Sequence, residues 1–292
     1  MAPQKSAVNT SEEAGVIDMN LRTRFGPWVI IAGASEGLGA AFATRLASYG
    51  CNLVLIARRE APLRALSEAL SAKYGVSTMT IILDLGSESA GNTIAAETAS
   101  LDVGLLVYNA AAACISEFSD APVDKLDSII AVNCSGLVRV VRGMVPRLIE
   151  RSGGLILMSS MSGFRGHACA ATYAASKAFT TSLGEGLWAE LEPQGVTVRV
   201  VAAGATNTPN FLSVTPEDKR SAALPMGPEE VADAAIASLQ RSSRWGALVI
   251  PGILNRIAAF FMQRLLWSAA AVAFMSDNLR KIYSMPARQP PR

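Results

Sequence analysis

Ser160, Tyr173 and Lys177 are the side chains whose types and spacing could do chemistry together. Tyr173 and Lys177 stand four residues apart in an alanine-rich segment, ATYAASK, that reads as a helix. That spacing puts both on one helix face, one turn apart. Ser160 closes LILMSS, an apolar run that reads as a buried strand. A hydroxyl at a strand end can meet the tyrosine across a small pocket. An ammonium beside a phenol favours the phenolate, so the Tyr173 pKa is expected to fall. Such a set moves a proton to or from a carbonyl or alcohol oxygen. Tyr-x-x-x-Lys alone also occurs as an ordinary surface pair, so the elements upstream decide its meaning.

Those elements alternate. Residues 28–32 (WVIIA) form a short apolar run, a buried strand. Gly33-Ala-Ser-Glu-Gly37-Leu-Gly39 follows, then helical apolar spacing at Ala41, Phe42, Leu46 and Tyr49, stopped by Gly50. A glycine-rich turn between strand and helix lets backbone approach a ligand closely and aims free N–H groups at a phosphate. Further strands are expected at 52–57, 76–83, 103–107, 153–158, 196–201 and 247–250. Helices are expected at 61–74, 87–100, 123–150, 171–192 and 228–240, the fourth strand being followed by one long apolar helix with Asn133 at its middle. Alternation of this kind predicts an α/β fold: a doubly wound, Rossmann-like parallel sheet covered on both faces, in a single domain. Its boundaries are set at 27–251, after a polar N-terminal tail (1–26) and before a C-terminal extension (252–292).

The second strand ends in Arg58-Arg59. In dinucleotide folds an acid there binds the ribose 2′-hydroxyl, whereas an arginine accommodates a 2′-phosphate. Ala57 holds the acid position, so NADP(H) is expected in preference to NAD(H).

Composition narrows the remaining classes. In 292 residues, half are apolar, enough for a substantial core. A net charge of +2 gives no basic field for nucleic acid. Cys51, Cys114, Cys134 and Cys169 sit among small or apolar residues with no C-x-x-C pair and read as buried or half-buried free thiols. One histidine, His167, and no Cys/His cluster leave no expected metal site. The first twenty residues lack the apolar core of a signal peptide, and a cytoplasmic location is the default expectation.

With these residues in place, the chain resembles the short-chain dehydrogenase/reductase family from about Pro27 to Pro251. Gly33, Gly37 and Gly39 match its cofactor glycines. Asp84 matches the acid that contacts adenine, and Asn109 the central asparagine of its Asn-Asn-Ala-Gly motif. Asn133, Ser160, Tyr173 and Lys177 match the catalytic tetrad, and Thr208 the threonine that meets the nicotinamide carboxamide. The resemblance extends the cofactor surface to Ser35, Leu38, Arg58, Arg59, Leu85, Ala110, Gly204 and Thr206. Tyr108 and Ala111 depart from the motif, as does Ala203 in place of a proline.

The resemblance implies hydride transfer between a nicotinamide and a carbonyl carbon. Tyr173 would act as general acid or base, Lys177 would lower its pKa and hold the ribose, and Ser160 would bind the substrate oxygen. Asn133 would position a water linking Lys177 to solvent. Substrate contacts are expected from the ends of strands four to six and the following loop: Ala112, Ala113, Met161, Phe164, Phe211 and Leu212, with His167 read as a solvent-exposed loop residue. Their apolar character suggests an apolar ketone or secondary alcohol. A homodimer or homotetramer is expected through the helices at 123–150 and 171–192. A second reading is a catalytically silent NADP(H)-binding redox sensor that docks a partner or membrane through its C-terminal segment.

That segment, Ile253 to Tyr283, is densely apolar, but Arg256 and Arg264 interrupt any bilayer-length span. Ile253, Ile257, Phe260, Phe261 and Leu265 share one helical face, predicting one or two amphipathic helices. Packing of that face within the protein, as cleft wall or dimer contact, is expected. Peripheral membrane contact through Arg256, Arg264, Arg280 and Lys281 is the minority alternative.

Overall fold

The computed structural model describes residues 21–241, 246–265 and 267–285. Seven strands form one sheet: β1 Trp28–Ala32, β2 Asn52–Ala57, β3 Thr78–Ile82, β4 Val103–Tyr108, β5 Gly154–Ser160, β6 Thr197–Ala203 and β7 Leu248–Val249. Their order is β3-β2-β1-β4-β5-β6-β7, and every pairing is parallel. This is the doubly wound sheet the alternation predicts.

The strands are apolar runs because both faces are covered. Along β1, Val29 and Ile31 face one core while Ile30 and Ala32 face the other. The first core is closed by α2 (Gly37–Ser48), α3 (Glu60–Tyr74) and α9 (Pro228–Ser238), through Phe42, Leu46, Leu63, Val231 and Ile236. The second is closed by α4 (Ala90–Glu97), α6 (Leu137–Arg151) and α7 (Ala171–Leu191), through Ile94, Val140, Met144, Leu148 and Leu191. The chain runs from β1 to β2 on one side, and β4 pairs with β1 on the other. A crevice therefore opens at the strands' C-terminal ends between β1 and β4, where open α/β sheets bind ligands.

The folded unit begins earlier than expected. Residues 21–25 are helical (α1), and Leu21 and Phe25, one turn apart, are both buried in the first core. The polar tail is thus shorter than 1–26; residues 1–20 lie outside the described residues. The expected long helix at 123–150 is also divided. It runs as α5 (Val123–Ile130), a π-helical turn (Ala131–Gly136) and α6. A π turn holds one extra residue and re-aims its side chains. Tyr108, one departure from the family motif, donates from Oη to the Val132 carbonyl in that turn at 2.7 Å. The 123–151 run has the length and apolarity of a bilayer span, yet here its apolar side lies on the sheet.

The extension folds as α10 (Ile253–Phe260), a second π turn (Phe261–Leu265) and α11 (Ser268–Ile282). The amphipathic helices are present, but among the described residues their apolar face is not packed against the rest of the protein. Ile253, Ile257, Phe260, Phe261 and Leu265 are all exposed. The inward edge of α10 is taken instead by the small or flexible Ala259 and Met262, which leaves the larger side chains facing out.

Candidate active site

The glycine turn follows β1 at the crevice. Gly33 and Gly37 take positive φ (86° and 55°), and Gly39 sits so close to the Gly33 carbonyl that a Cβ would meet it at 1.9 Å. Asn109 donates from Nδ2 to that same carbonyl at 2.8 Å, and the Asn109 and Ala110 amides donate to Ala32. The loop after β4 is thereby tied to the turn. Leu38 packs on the first core and Ala110 on the second. Glu36, the residue capping α2, gives no side-chain hydrogen bond to its first turn. The amides of that turn are left for another acceptor.

Arg58 and Arg59 stand exposed past the end of β2. Arg59 pairs with Glu36 at 2.7 Å and donates to Ser35 Oγ at 3.3 Å, so it rests on the glycine turn. Asp84 follows β3 and accepts from the Gly86 amide at 2.9 Å; Leu85 beside it is buried. Past β6, Thr208 abuts Gly37, Thr206 Oγ1 donates to the Gly204 carbonyl at 3.1 Å, and the Asn255 side chain lies against Gly204. The sequence-predicted cofactor residues therefore gather at the C-terminal end of the sheet, from the ends of five strands.

Ser160 ends β5, and its Oγ accepts from the Ser162 amide at 3.2 Å. The following 3-10 turn, Met161–Phe164, presses on α7 where Gly163 meets the Lys177–Ala178 backbone; a Cβ there would lie 2.7 Å from the Lys177 carbonyl carbon. Ser159 Oγ donates to the Lys177 carbonyl at 2.8 Å. Strand end and helix are thus locked together, bringing the Ser160 hydroxyl beside the Tyr173 phenol. The Lys177 ammonium lies 5.7 Å from the Tyr173 ring centroid.

The ionisation differs from the expectation. Tyr173 is pushed up to about 12 by burial, only partly offset by the Ser160 hydroxyl, with Tyr283 of the C-terminal extension raising it further. Lys177 is pushed down to about 8, again by burial. Desolvation disfavours each charged form, and it is the largest cause of both shifts. Lys177 is buried, and its ammonium donates to the Met158 carbonyl at 2.8 Å.

Asn133 is bonded at both ends of its amide. Its Oδ1 accepts from the Ala112 amide at 2.7 Å, and its Nδ2 donates to the Ala112 carbonyl and to Ser176 Oγ, both at 2.9 Å. Its side chain clamps the loop after β4 to α7. His167 is buried, not exposed, with Nδ1 near the Ala168 carbonyl at 3.3 Å and its pKa lowered by burial.

Of the expected substrate residues, Met161 and Phe164 are half-buried in the turn after Ser160. Phe211 is buried in α8 (Pro209–Val214), capped by Thr208 Oγ1, while Leu212 faces outward. Ala112 is held by Asn133, and Ala113 is exposed. The sequence reading missed three groups: Gly163, the Met158 carbonyl and Tyr283. A glycine directly before an aromatic in a short loop is a faint signal for the first; the other two depend on tertiary placement.

Comparison with known proteins agrees with this architecture. Residues 27–219 match the family described as short chain dehydrogenase. A 7beta-hydroxysteroid dehydrogenase from Collinsella aerofaciens is 33% identical over 225 residues, covering 76% of this chain and 86% of its own. A very-long-chain 3-oxoacyl-CoA reductase from Pyrenophora tritici-repentis is 32% identical, covering 82% and 72%. Among solved structures, one of a 7beta-hydroxysteroid dehydrogenase superposes with a TM-score of 0.80 at 29% identity, covering 87% of this chain and 98% of its own. A short-chain dehydrogenase from Sphingobium yanoikuyae in complex with NADPH gives 0.69 at 28%, covering 83% and 97%. The chain belongs to the short-chain dehydrogenase family of oxidoreductases.

Proposed function

We propose that this protein is an NADP(H)-dependent carbonyl reductase, working equally on the reverse oxidation of a secondary alcohol, with a largely apolar substrate. The observation that carries the reading is the placement of Ser160, Tyr173 and Lys177 on β5 and α7 beside the β1–β4 crevice. The named relatives support a ketone or hydroxyl substrate of this kind, since they are a hydroxysteroid dehydrogenase and an oxoacyl-CoA reductase. The NADPH complex of the Sphingobium yanoikuyae short-chain dehydrogenase supports the cofactor.

The residues fit that cofactor. The close-approach glycine turn and the uncapped amides of α2 suit a pyrophosphate. Asp84 suits the adenine end, Arg58 a 2′-phosphate, and Lys177 the ribose hydroxyls. Asn109 and Ala110 shape the turn's far wall, and Gly204, Thr206 and Thr208 the nicotinamide end. When bound, the nicotinamide gives or takes the hydride.

The chain's own part is the proton. Tyr173, neutral because its pKa is raised, carries a proton throughout the physiological range and delivers it from Oη to the substrate oxygen in reduction. Ser160 Oγ donates to that oxygen as negative charge builds on it. Lys177 supplies a nearby cation that favours the phenolate left behind. Asn133 keeps the loop at Ala112 and the Ser176 face of α7 in register. Met161 and Phe164 contribute apolar walls to the site.

Tyr173→Phe tests the reading. It should still bind NADPH but lose kcat by about 10²–10⁴-fold with any ketone the wild type turns over. Near-normal kcat would overturn the assignment. Tight NADPH binding by the wild type with no turnover over a broad carbonyl panel would favour the redox-sensor reading instead.

A further inference from the structure

We propose that the outer face of the C-terminal extension is a docking surface for an anionic lipid bilayer, with α10 and the turn after it lying in the plane of the interface. The inference is independent of the reaction proposed above.

α10 is held on the protein by a narrow edge. Asn255 donates from Nδ2 to the Pro251 carbonyl at 2.9 Å and lies 3.3 Å from Met226 Sδ, and Ala259 and Met262 are buried. The helix's large apolar side chains face away from that edge. Leu254 is 63% exposed, Phe260 57% and Trp267 87%, and Ile257, Phe261, Leu265 and, on α11, Phe274 are exposed as well. Among them, Phe260 and Phe261 pack edge to face. A contiguous apolar patch of this kind marks an interaction site.

Charge identifies the occupant. From Ala247 to Ser276 the chain has no Asp or Glu, and its two charged residues, Arg256 and Arg264, are both exposed. From Ala234 to the end there are eight Lys or Arg and one Asp, although the whole chain carries only +2. The C-terminal part of the sequence is therefore its basic end, in a nearly neutral protein. A second copy meeting this face across a two-fold axis would bring the same acid-free, arginine-bearing patch against itself, with no carboxylate in the segment to pair either guanidinium. An anionic bilayer offers both a partner for the arginines and an apolar layer for the aromatics. Trp267, with an apolar ring and one N–H, is the side chain suited to the boundary between them. The segment is too interrupted to span, so the contact is peripheral.

The test is flotation of the full-length protein with vesicles of phosphatidylcholine alone and of phosphatidylcholine with 30% phosphatidylglycerol, at about 50 and 300 mM salt. Co-flotation with the anionic vesicles, weakened by salt, is expected. Arg256→Glu/Arg264→Glu should weaken it at least 25-fold, at about fivefold per arginine removed near an anionic surface. Trp267→Ser/Phe260→Ser should abolish it while catalytic turnover, which reports an intact fold, is kept. Absence of co-flotation at low salt overturns the proposal, as does flotation unchanged in both double variants. Sedimentation in which Trp267→Ser/Phe260→Ser splits a dimer, with no lipid binding by the wild type, assigns the face to a second copy instead.

Discussion

The Lys177 ammonium donates to the Met158 carbonyl at 2.8 Å, one strand position short of the serine pair that ends β5. This contact anchors a buried cation whose pKa is drawn down to about 8 by desolvation. The protonated form is present below that value and is lost as pH rises through it. Because Tyr173 stays protonated to about 12, the alkaline limb of kcat/KM for NADPH should report Lys177, falling as pH passes about 8. Lys177→Arg, which keeps a cation to far higher pH, should remove that limb while lowering activity, because a guanidinium does not fit the same geometry. A pH profile flat to 10 in the wild type would show that Lys177 ionisation does not control binding.

Arg58 and Arg59 are adjacent in sequence but differ in their surroundings. Arg59 is already committed to Glu36 and Ser35 on the glycine turn, whereas Arg58 stands exposed beside it. Arg58→Ala should raise the KM for NADPH about 10- to 100-fold, the loss expected for one charge-assisted phosphate contact, and hardly change that for NADH. Equal losses for both cofactors would mark Arg58 as structural.

Gly163 sets the distance between strand end and helix. An added methyl would meet the Lys177–Ala178 backbone at 2.7–2.8 Å, and backbone cannot yield as a flexible side chain can. Gly163→Ala should lift the Met161–Phe164 turn off α7 and carry Ser160 away from Tyr173. A displacement near 1 Å predicts a kcat loss of about 10²-fold with cofactor KM unchanged. Stopped-flow cofactor binding beside steady-state rates separates the two.

Much of this was legible before any coordinates, and the exceptions share a cause. Parallel strands buried on both faces must be apolar throughout, so β1, β2, β4 and β5 announce themselves. Tyr173 and Lys177 share a helix face by spacing alone. The π turn at Asn133 is less visible, because one extra residue per turn leaves apolar periodicity almost unchanged, and the side chain that profits from it meets Ala112, far off in sequence. The burial of His167 depends on α11, whose Ser276 Oγ accepts from the Ala168 amide at 3.0 Å. The Tyr173 ionisation is not legible in the sequence, because spacing reveals the neighbouring charge but not the loss of water around both groups. Leu21 and Phe25 could have been read as a helical apolar pair; the polar residues around them hid it.

The contact between Glu117 and Arg280 joins the loop after β4 to α11 and supports the last prediction. The carboxylate accepts from the guanidinium and also from Cys169 Sγ at 3.4 Å, and these bonds hold its pKa below the usual carboxylate range. With the Ser276–Ala168 bond, this pair fastens α11 across the site and keeps Tyr283 near enough to Tyr173 to raise its pKa. Glu117→Gln removes the charge but leaves the shape. It should loosen α11, raise KM for a bulky ketone several-fold and spare a small one, with kcat for the small ketone unchanged. Because the Arg280 guanidinium holds the carboxylate's pKa below its ordinary range, the wild type should behave like the variant only at pH values acid of that range, where the group protonates. Amide hydrogen exchange across α11 reads the loosening directly. Unchanged protection in Glu117→Gln would show that Ser276 and the buried Ala271 hold the helix without the ion pair.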